Sequence, residues 1–154
     1  EMEIMVLLAY TGMGILYENI GEIQKAEYFF NKAITDVYRY PIKETHDIWR
    51  LLNIMYYCGS FYANIEDYQT SDALLTHGVK ICSDNHVTYY LARMTFQLAK
   101  NAVAQNKDCY EIMDLYYSTK AYAEINKNMI ELKALEDFKH ELMENDAFSE
   151  IVLY

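Results

Sequence analysis

Proline is nearly missing from this chain, with Pro41 alone among 154 residues, and glycine is sparse at five. So little turn punctuation excludes a fold of many short strands and leaves long helices. Basic residues are also short, 13 Lys and Arg against 23 Asp and Glu, for a net charge of −10. This stretch therefore should not itself grip a phosphate backbone, which takes clustered cations. Cysteines number three, Cys58, Cys82 and Cys109, with no CxxC and no His at metal-ligand spacing. An odd, scattered set argues against a disulfide framework and for a reducing, cytoplasmic setting. The charge-free run from Ile4 to Tyr17 holds 14 residues and two glycines. It is too short to cross a bilayer and lacks the flanks of a signal peptide, so no membrane partner is expected.

Catalytic signatures are missing too. None of His46, His77, His86 and His140 forms an HExxH or an i, i+4 pair, and there is no GxSxG or phosphate loop. Gly12 and Gly14 open a G-x-G, but Tyr17 breaks the dinucleotide pattern and no strand precedes it. Glu18/Glu22 and Glu144/Asp146 sit where helix ends and a tail are expected, and read as solvated carboxylates rather than an acid/base pair. No enzyme, metal or cofactor is expected.

What the chain does have is apolar bulk, 53% of residues with 16 tyrosines, and a length that suits one domain able to bury roughly 70% of its unfolded surface. It also repeats itself. Residues 14–22 read GILYENIGE and residues 59–67 read GSFYANIED, 45 positions apart. Around the first copy, Tyr10, Met13, Gly14, Tyr17, Gly21, Ala26, Phe30 and Ala33 predict one helix ending near Asn19 and a second starting near Glu22, with Gly21 as the turn. Small Gly14 and Ala26 are expected to face each other where the helices cross. One such hairpin cannot cover its own apolar face, whereas a stack can, which is a physical reason to repeat the pattern.

The spacing of Tyr10, Gly14, Tyr17, Ala26, Phe30 and Ala33 resembles the tetratricopeptide repeat. The resemblance implies an all-α fold, a right-handed superhelix of antiparallel helix pairs. Copy one covers about 7–40. Copy two, about 52–85, keeps Gly59, Tyr62, Asp67 and Tyr68 and has Ser71, Leu75 and Gly78 at the small, large and small positions. The additional residues between copies include Pro41, and Thr45 is the expected N-cap of a helix entered at His46 to Trp49. This predicts a longer linker or a longer first helix. A degenerate third copy spans 86–126. Ser83 or Asp84 is its expected cap, and its first helix, about His86 to Gln105, carries the stripe Tyr89, Ala92, Phe96, Ala99 and Val103. Its second, about Cys109 to Ile125, carries Ile112, Tyr116, Thr119 and Ala123. A capping helix over 127–143 uses Ile130, Ala134, Leu135, Phe138 and Leu142, and a tail, 144–154, ends in FSEIVLY. That tail and Trp49 read either as core packing or as a dimer interface. Cys58, just before Gly59, is expected to be buried.

In the tetratricopeptide family the first helices line a concave peptide-binding face. The matching positions are Asn53, Tyr56, Ser60, Ala63 and Asn64 in copy two, and Leu8, Thr11, Ile15, Glu18 and Asn19 in copy one. In copy three they are Met94, Gln97, Asn101, Ala104 and Gln105, with Arg93 adjacent. A carboxamide offers both donor and acceptor to a peptide backbone, so Asn53, Asn64, Asn101 and Asn19 are candidate contacts with Tyr56, Ser60, Gln97 and Arg93. Asn19 and Asn64 equally suit C-terminal caps, and Arg93 an ordinary intramolecular ion pair.

The whole chain also resembles the C-terminal region of peptide-responsive transcription regulators of the Rgg/MutR type. The resemblance rests on repeats about 40 residues apart, Tyr- and Asn-rich helices, an acidic low-Pro composition, and stretches such as HVTYYLARMTFQLAKN and YYSTKAYAEINKNMIELKALEDF. It implies a homodimer that binds a short signalling peptide and acts on DNA only through an N-terminal helix-turn-helix domain outside this sequence. The chain begins at Glu1 already in apolar periodicity, and is read as a fragment of a longer protein. The alternative is a constitutive interaction scaffold docking a protein tail. Such a scaffold would favour a basic clamp, and the groove positions of copies one and two carry no Lys or Arg.

Overall fold

A computed structural model describes residues 3–144, and the FSEIVLY segment of the tail lies outside them. The described residues are all-α: α1 (Ile4–Asn19), α2 (Ile23–Ile34), α3 (Thr45–Asn64), α4 (Tyr68–Asp84), α5 (Leu91–Ala104), α6 (Cys109–Ile125) and α7 (Met129–Glu144), with a 3₁₀ turn at Val37–Arg39. They fall into two compact units that divide between Asp84 and Asn85.

In the first unit α1 packs on α2, α3 packs on α4, and α3 also contacts both α1 and α2. The packing partner of Gly14 is not Ala26, as its spacing suggested, but the ring of Phe30: a Cβ there would lie 2.8 Å from two ring carbons. Gly59 repeats the device with Leu75, at 2.9 Å. The missing Cβ lets a large side chain from the second helix reach the backbone of the first. Ser71, in the small position, donates from its hydroxyl to the carbonyl of Gly59 at 2.7 Å. Phe30 then stacks on Phe61 with centroids 4.5 Å apart, joining the two pairs. The Tyr62 hydroxyl donates to the Asn31 side chain across the same junction.

The residues between the pairs form both a longer linker and a longer helix. Buried Val37 anchors the 3₁₀ turn. The N-cap of α3 is Glu44, one residue ahead of the expected Thr45. Asp47 decides this, because its carboxylate accepts from the amides of Lys43 and Glu44, each at 3.1 Å, closing a capping box. Trp49 lies exposed in the first turn that follows.

In the second unit α6 packs on α5, and α7 packs mainly on α6. The core is Phe96, Ala99, Ala102, Ile112, Tyr116, Leu135, Phe138 and Leu142. The expected α6 stripe of Ile112, Tyr116, Thr119 and Ala123 is buried throughout. Two expectations shift. α5 begins at Leu91 rather than near His86, since His86 takes a left-handed φ of 56° that a helix start cannot hold. Ile130 is exposed, so the buried stripe of α7 begins at Leu135.

Four helices end in the same hydrogen-bonded turn around one left-handed residue: Gly21, Glu66, Asn106 and Lys127. After α1, for example, the amide of Glu22 reaches the carbonyl of Tyr17 at 2.9 Å and that of Gly21 reaches Glu18 at 3.0 Å. The same pair of bonds recurs after α3, α5 and α6. The next helix is capped by a side chain in three of the four cases: Asp67 accepts from Thr70, Asp108 from Tyr110 and Asn128 from Glu131.

Candidate peptide-binding residues

The shared turn fixes the register of the third helix pair. Gly14 and Gly59 stand seven residues before the left-handed residues Gly21 and Glu66, and Ala99 stands seven before Asn106. Ala99 is buried and occupies the small position. The residues of α5 that match Asn53, Tyr56, Ser60, Ala63 and Asn64 are therefore Arg93, Phe96, Lys100, Val103 and Ala104. The five positions expected from the sequence, Met94, Gln97, Asn101, Ala104 and Gln105, each stand one residue beyond these, and Arg93, named beside them, falls on the face.

Of the eight candidate residues, five lie in the first unit. Asn53, Tyr56, Ser60 and Asn64 follow one another along α3 at helical spacing, and Asn19 ends α1. Asn64 does not cap its own helix. Its amide donates to the Glu18 carboxylate of α1 at 3.1 Å, tying the ends of the two first helices together. The Ser60 hydroxyl is turned inward and donates to the carbonyl of Tyr56 at 2.8 Å. The carboxamide of Asn53 sits half-buried in mid-helix and makes no hydrogen bond among the described residues. A helix interior disfavours Asn, and this side chain is left to meet solvent or a ligand. Thr11 and Ala63, two further positions of the face, are buried; Thr11 donates to the carbonyl of Leu7 at 2.9 Å.

Three candidates lie in the second unit. Asn101 is 1% exposed. Its side-chain oxygen accepts from Gln97 at 2.9 Å, and its backbone carbonyl from the Gln105 side chain at 3.1 Å. It belongs to an internal network rather than to an accessible face, and Gln97 is engaged with it. Arg93 pairs with Glu131 of α7 at 3.5 Å and lies 5.7 Å from the centre of the Tyr89 ring. Lys100, not singled out by the sequence reading, stands over the Phe96 ring at 4.7 Å. Burial lowers its pKa, and the charge of Glu131 opposes that shift. Counting back from the turn at Asn106, rather than matching the degenerate motif, would have found Lys100.

Cys58 is fully buried, as expected. Burial pushes its thiol up to about 12, against a smaller opposing effect of a hydrogen bond with Thr11. Burial alone pushes Cys82 up to about 12. Neither is a nucleophile at neutral pH. No group of three or more His, Cys, Asp or Glu side chains able to hold a metal occurs among the described residues, and no described helix is long and apolar enough to cross a membrane. A shallow groove of about 420 Å³ beside α4 is lined by Tyr38, Asp72, Ala73, Thr76, His77 and Lys80, none of them a candidate residue.

Comparison of the chain with family models, with curated proteins and with solved structures gives no match.

Proposed function

We propose that this chain is the ligand-sensing domain of a peptide-responsive helix-turn-helix transcription regulator. In this reading its helix pairs form a tetratricopeptide-like superhelix that dimerises, receives a short peptide along its first helices, and passes the signal to an attached DNA-binding domain. The observation that carries it is the α3 face: four polar side chains at helical spacing, with the half-buried amide of Asn53 unengaged among the described residues. An extended peptide needs donor and acceptor at regular intervals, and a ladder of carboxamides and hydroxyls on one helix supplies them. Asn64 would exchange its bond to Glu18 for one to the peptide, uncoupling the ends of α1 and α3. A peptide moves such an equilibrium only by as much as its affinity differs between the two states.

The test is affinity selection of pooled peptides of about five to ten residues, followed by titration of the double variant Asn53→Ala/Asn64→Ala. Net hydrogen bonds are worth about 1 kcal/mol each, so binding should weaken roughly 10- to 100-fold with the circular dichroism spectrum unchanged. Equal binding by the wild type and the double variant would remove the α3 face from the reading. In parallel, the coding sequence upstream of Glu1 should specify a helix-turn-helix with basic residues on its second helix. Further repeats or a catalytic domain there would instead favour a docking scaffold.

A further inference from the structure

Asp and Glu are frequent in this chain, yet none occurs from Asn85 to Lys107. Among the described α-helices, α5 alone carries cations, Arg93 and Lys100, and no carboxylate. The two stand seven residues apart, about two turns, so they share a face. Helix packing does not call for charge there. The matching positions are Asn53 and Ser60 in α3 and, 45 residues earlier, Leu8 and Ile15 in α1, all of them uncharged.

Both cations feel one carboxylate. Glu131 of α7 approaches Nε of Arg93 at 3.5 Å. Its charge also acts on Lys100, whose ammonium stands over the Phe96 ring at 4.7 Å. The cluster is partly withdrawn from water, with the Glu131 side chain 15% exposed and that of Arg93 30%. Glu131 is a poor match for it. One carboxylate brings one charge against two, and 3.5 Å is longer than the roughly 2.7–2.9 Å of a formed charge-assisted hydrogen bond. It is also held loosely. Glu131 lies in the first turn of α7, where Met129 and Ile130 are exposed, and the buried stripe begins only at Leu135. Its side chain can turn away while Leu135, Phe138 and Leu142 stay in the core.

We propose that Arg93 and Lys100 bind a phosphoryl group, with Glu131 of α7 as its built-in competitor. A phosphoryl group carries about −1.5 to −2 charges near neutral pH, enough to match both cations, and offers three acceptor oxygens. The planar guanidinium fork and the point charge of a lysine are both suited to it. The site involves α5 and α7 alone and does not depend on the peptide reading. It also differs from a nucleic-acid surface, which takes a track of cations rather than two.

The test is titration of the full chain with inorganic phosphate at constant ionic strength, followed by amide NMR shifts. These should centre on α5 and the first turn of α7. Glu131→Gln keeps the shape and removes the competing charge, so it should bind phosphate about 10-fold more tightly than the wild type. Arg93→Gln or Lys100→Gln in that background should weaken binding by about 10-fold or more, as expected for hydrogen bonds to a charged group. The same two variants in the wild-type background give the comparison without touching Glu131. Acetate should bind far more weakly than phosphate, because a monoanion only repeats what Glu131 supplies. Phosphoserine separates the two sources of the group: tighter binding than phosphate assigns the site to a phosphorylated molecule, and equal or weaker binding to the free ion. A Glu131→Gln variant that binds phosphate no better than the wild type makes Arg93–Glu131 a purely structural pair and overturns the proposal. Phosphate binding that neither cation variant weakens overturns it too, as does acetate binding as tight as phosphate.

Discussion

Two glycines of α1, two residues apart, have opposite roles. Gly14 has the ring of Phe30 at 2.8 Å from where a Cβ would stand, whereas nothing lies within 4 Å of that point at Gly12. Removing a helical glycine ordinarily gains about 1 kcal/mol. Gly12→Ala should therefore stabilise by up to roughly that amount. At Gly14 a buried ring has no room to retreat, and overpacking costs of about 1–3 kcal/mol should exceed the gain. Urea unfolding of both variants checks this, and an equal sign for the two would show that Phe30 is not fixed in place. Thiol reactivity is a second residue-level readout. With Cys58 and Cys82 both pushed up to about 12 by burial, only the partly exposed Cys109 should react quickly with a disulfide reagent at pH 8. All three should react after denaturation.

The recurring element is the left-handed turn. Gly21 occupies it without strain at φ 82°, while Glu66 holds φ 63° and carries a Cβ. A left-handed L-residue costs roughly 1 kcal/mol or more, and glycine does not, though glycine gives some of the gain back through unfolded-state entropy. Glu66→Gly should thus raise stability by about 0.5–1 kcal/mol, seen as a higher melting temperature. A fall would mean that the Glu66 side chain has a role that its exposed position does not suggest. The turn also explains the N-caps. A left-handed residue sends the chain straight into the next helix, whose first amides need a partner at once, and Asp67, Asp108 and Asn128 supply it.

At the scale of the whole molecule the dominant fact is the charge of −10. The ion pairs that offset it are mostly exposed neighbours on one helix, such as Lys25–Glu22 and Lys80–Asp84, and contribute little. Self-repulsion should outweigh them. From about 0.01 M to about 0.15 M salt the Debye length falls from roughly 30 Å to roughly 8 Å. The melting temperature should rise over that range in a thermal scan, and a fall would show that the ion pairs matter more than the net charge.

Helicity of the described residues, the ends of most helices, and the pairing of α1 with α2 and of α3 with α4 are legible along the chain alone. Those follow from local period, from Gly21 and from Gly14 and Gly59, seven positions before the turns at Gly21 and Glu66, all of which are written along the chain. Its 45-residue repeat was legible because a packed hairpin demands the same small and large residues each time. Tertiary structure decided what depends on neighbours. It placed Phe30, not Ala26, against Gly14. It moved the cap of α3 to Glu44 through the carboxylate of Asp47. It set the α5 register through a left-handed Asn106 that no glycine announced, buried Asn101 in a network with Gln97 and Gln105, and engaged Asn64 with Glu18 of another helix. Amide side chains are ambiguous in sequence because one group can serve a cap, a core network or a ligand. Only the atoms packed around each decide between them.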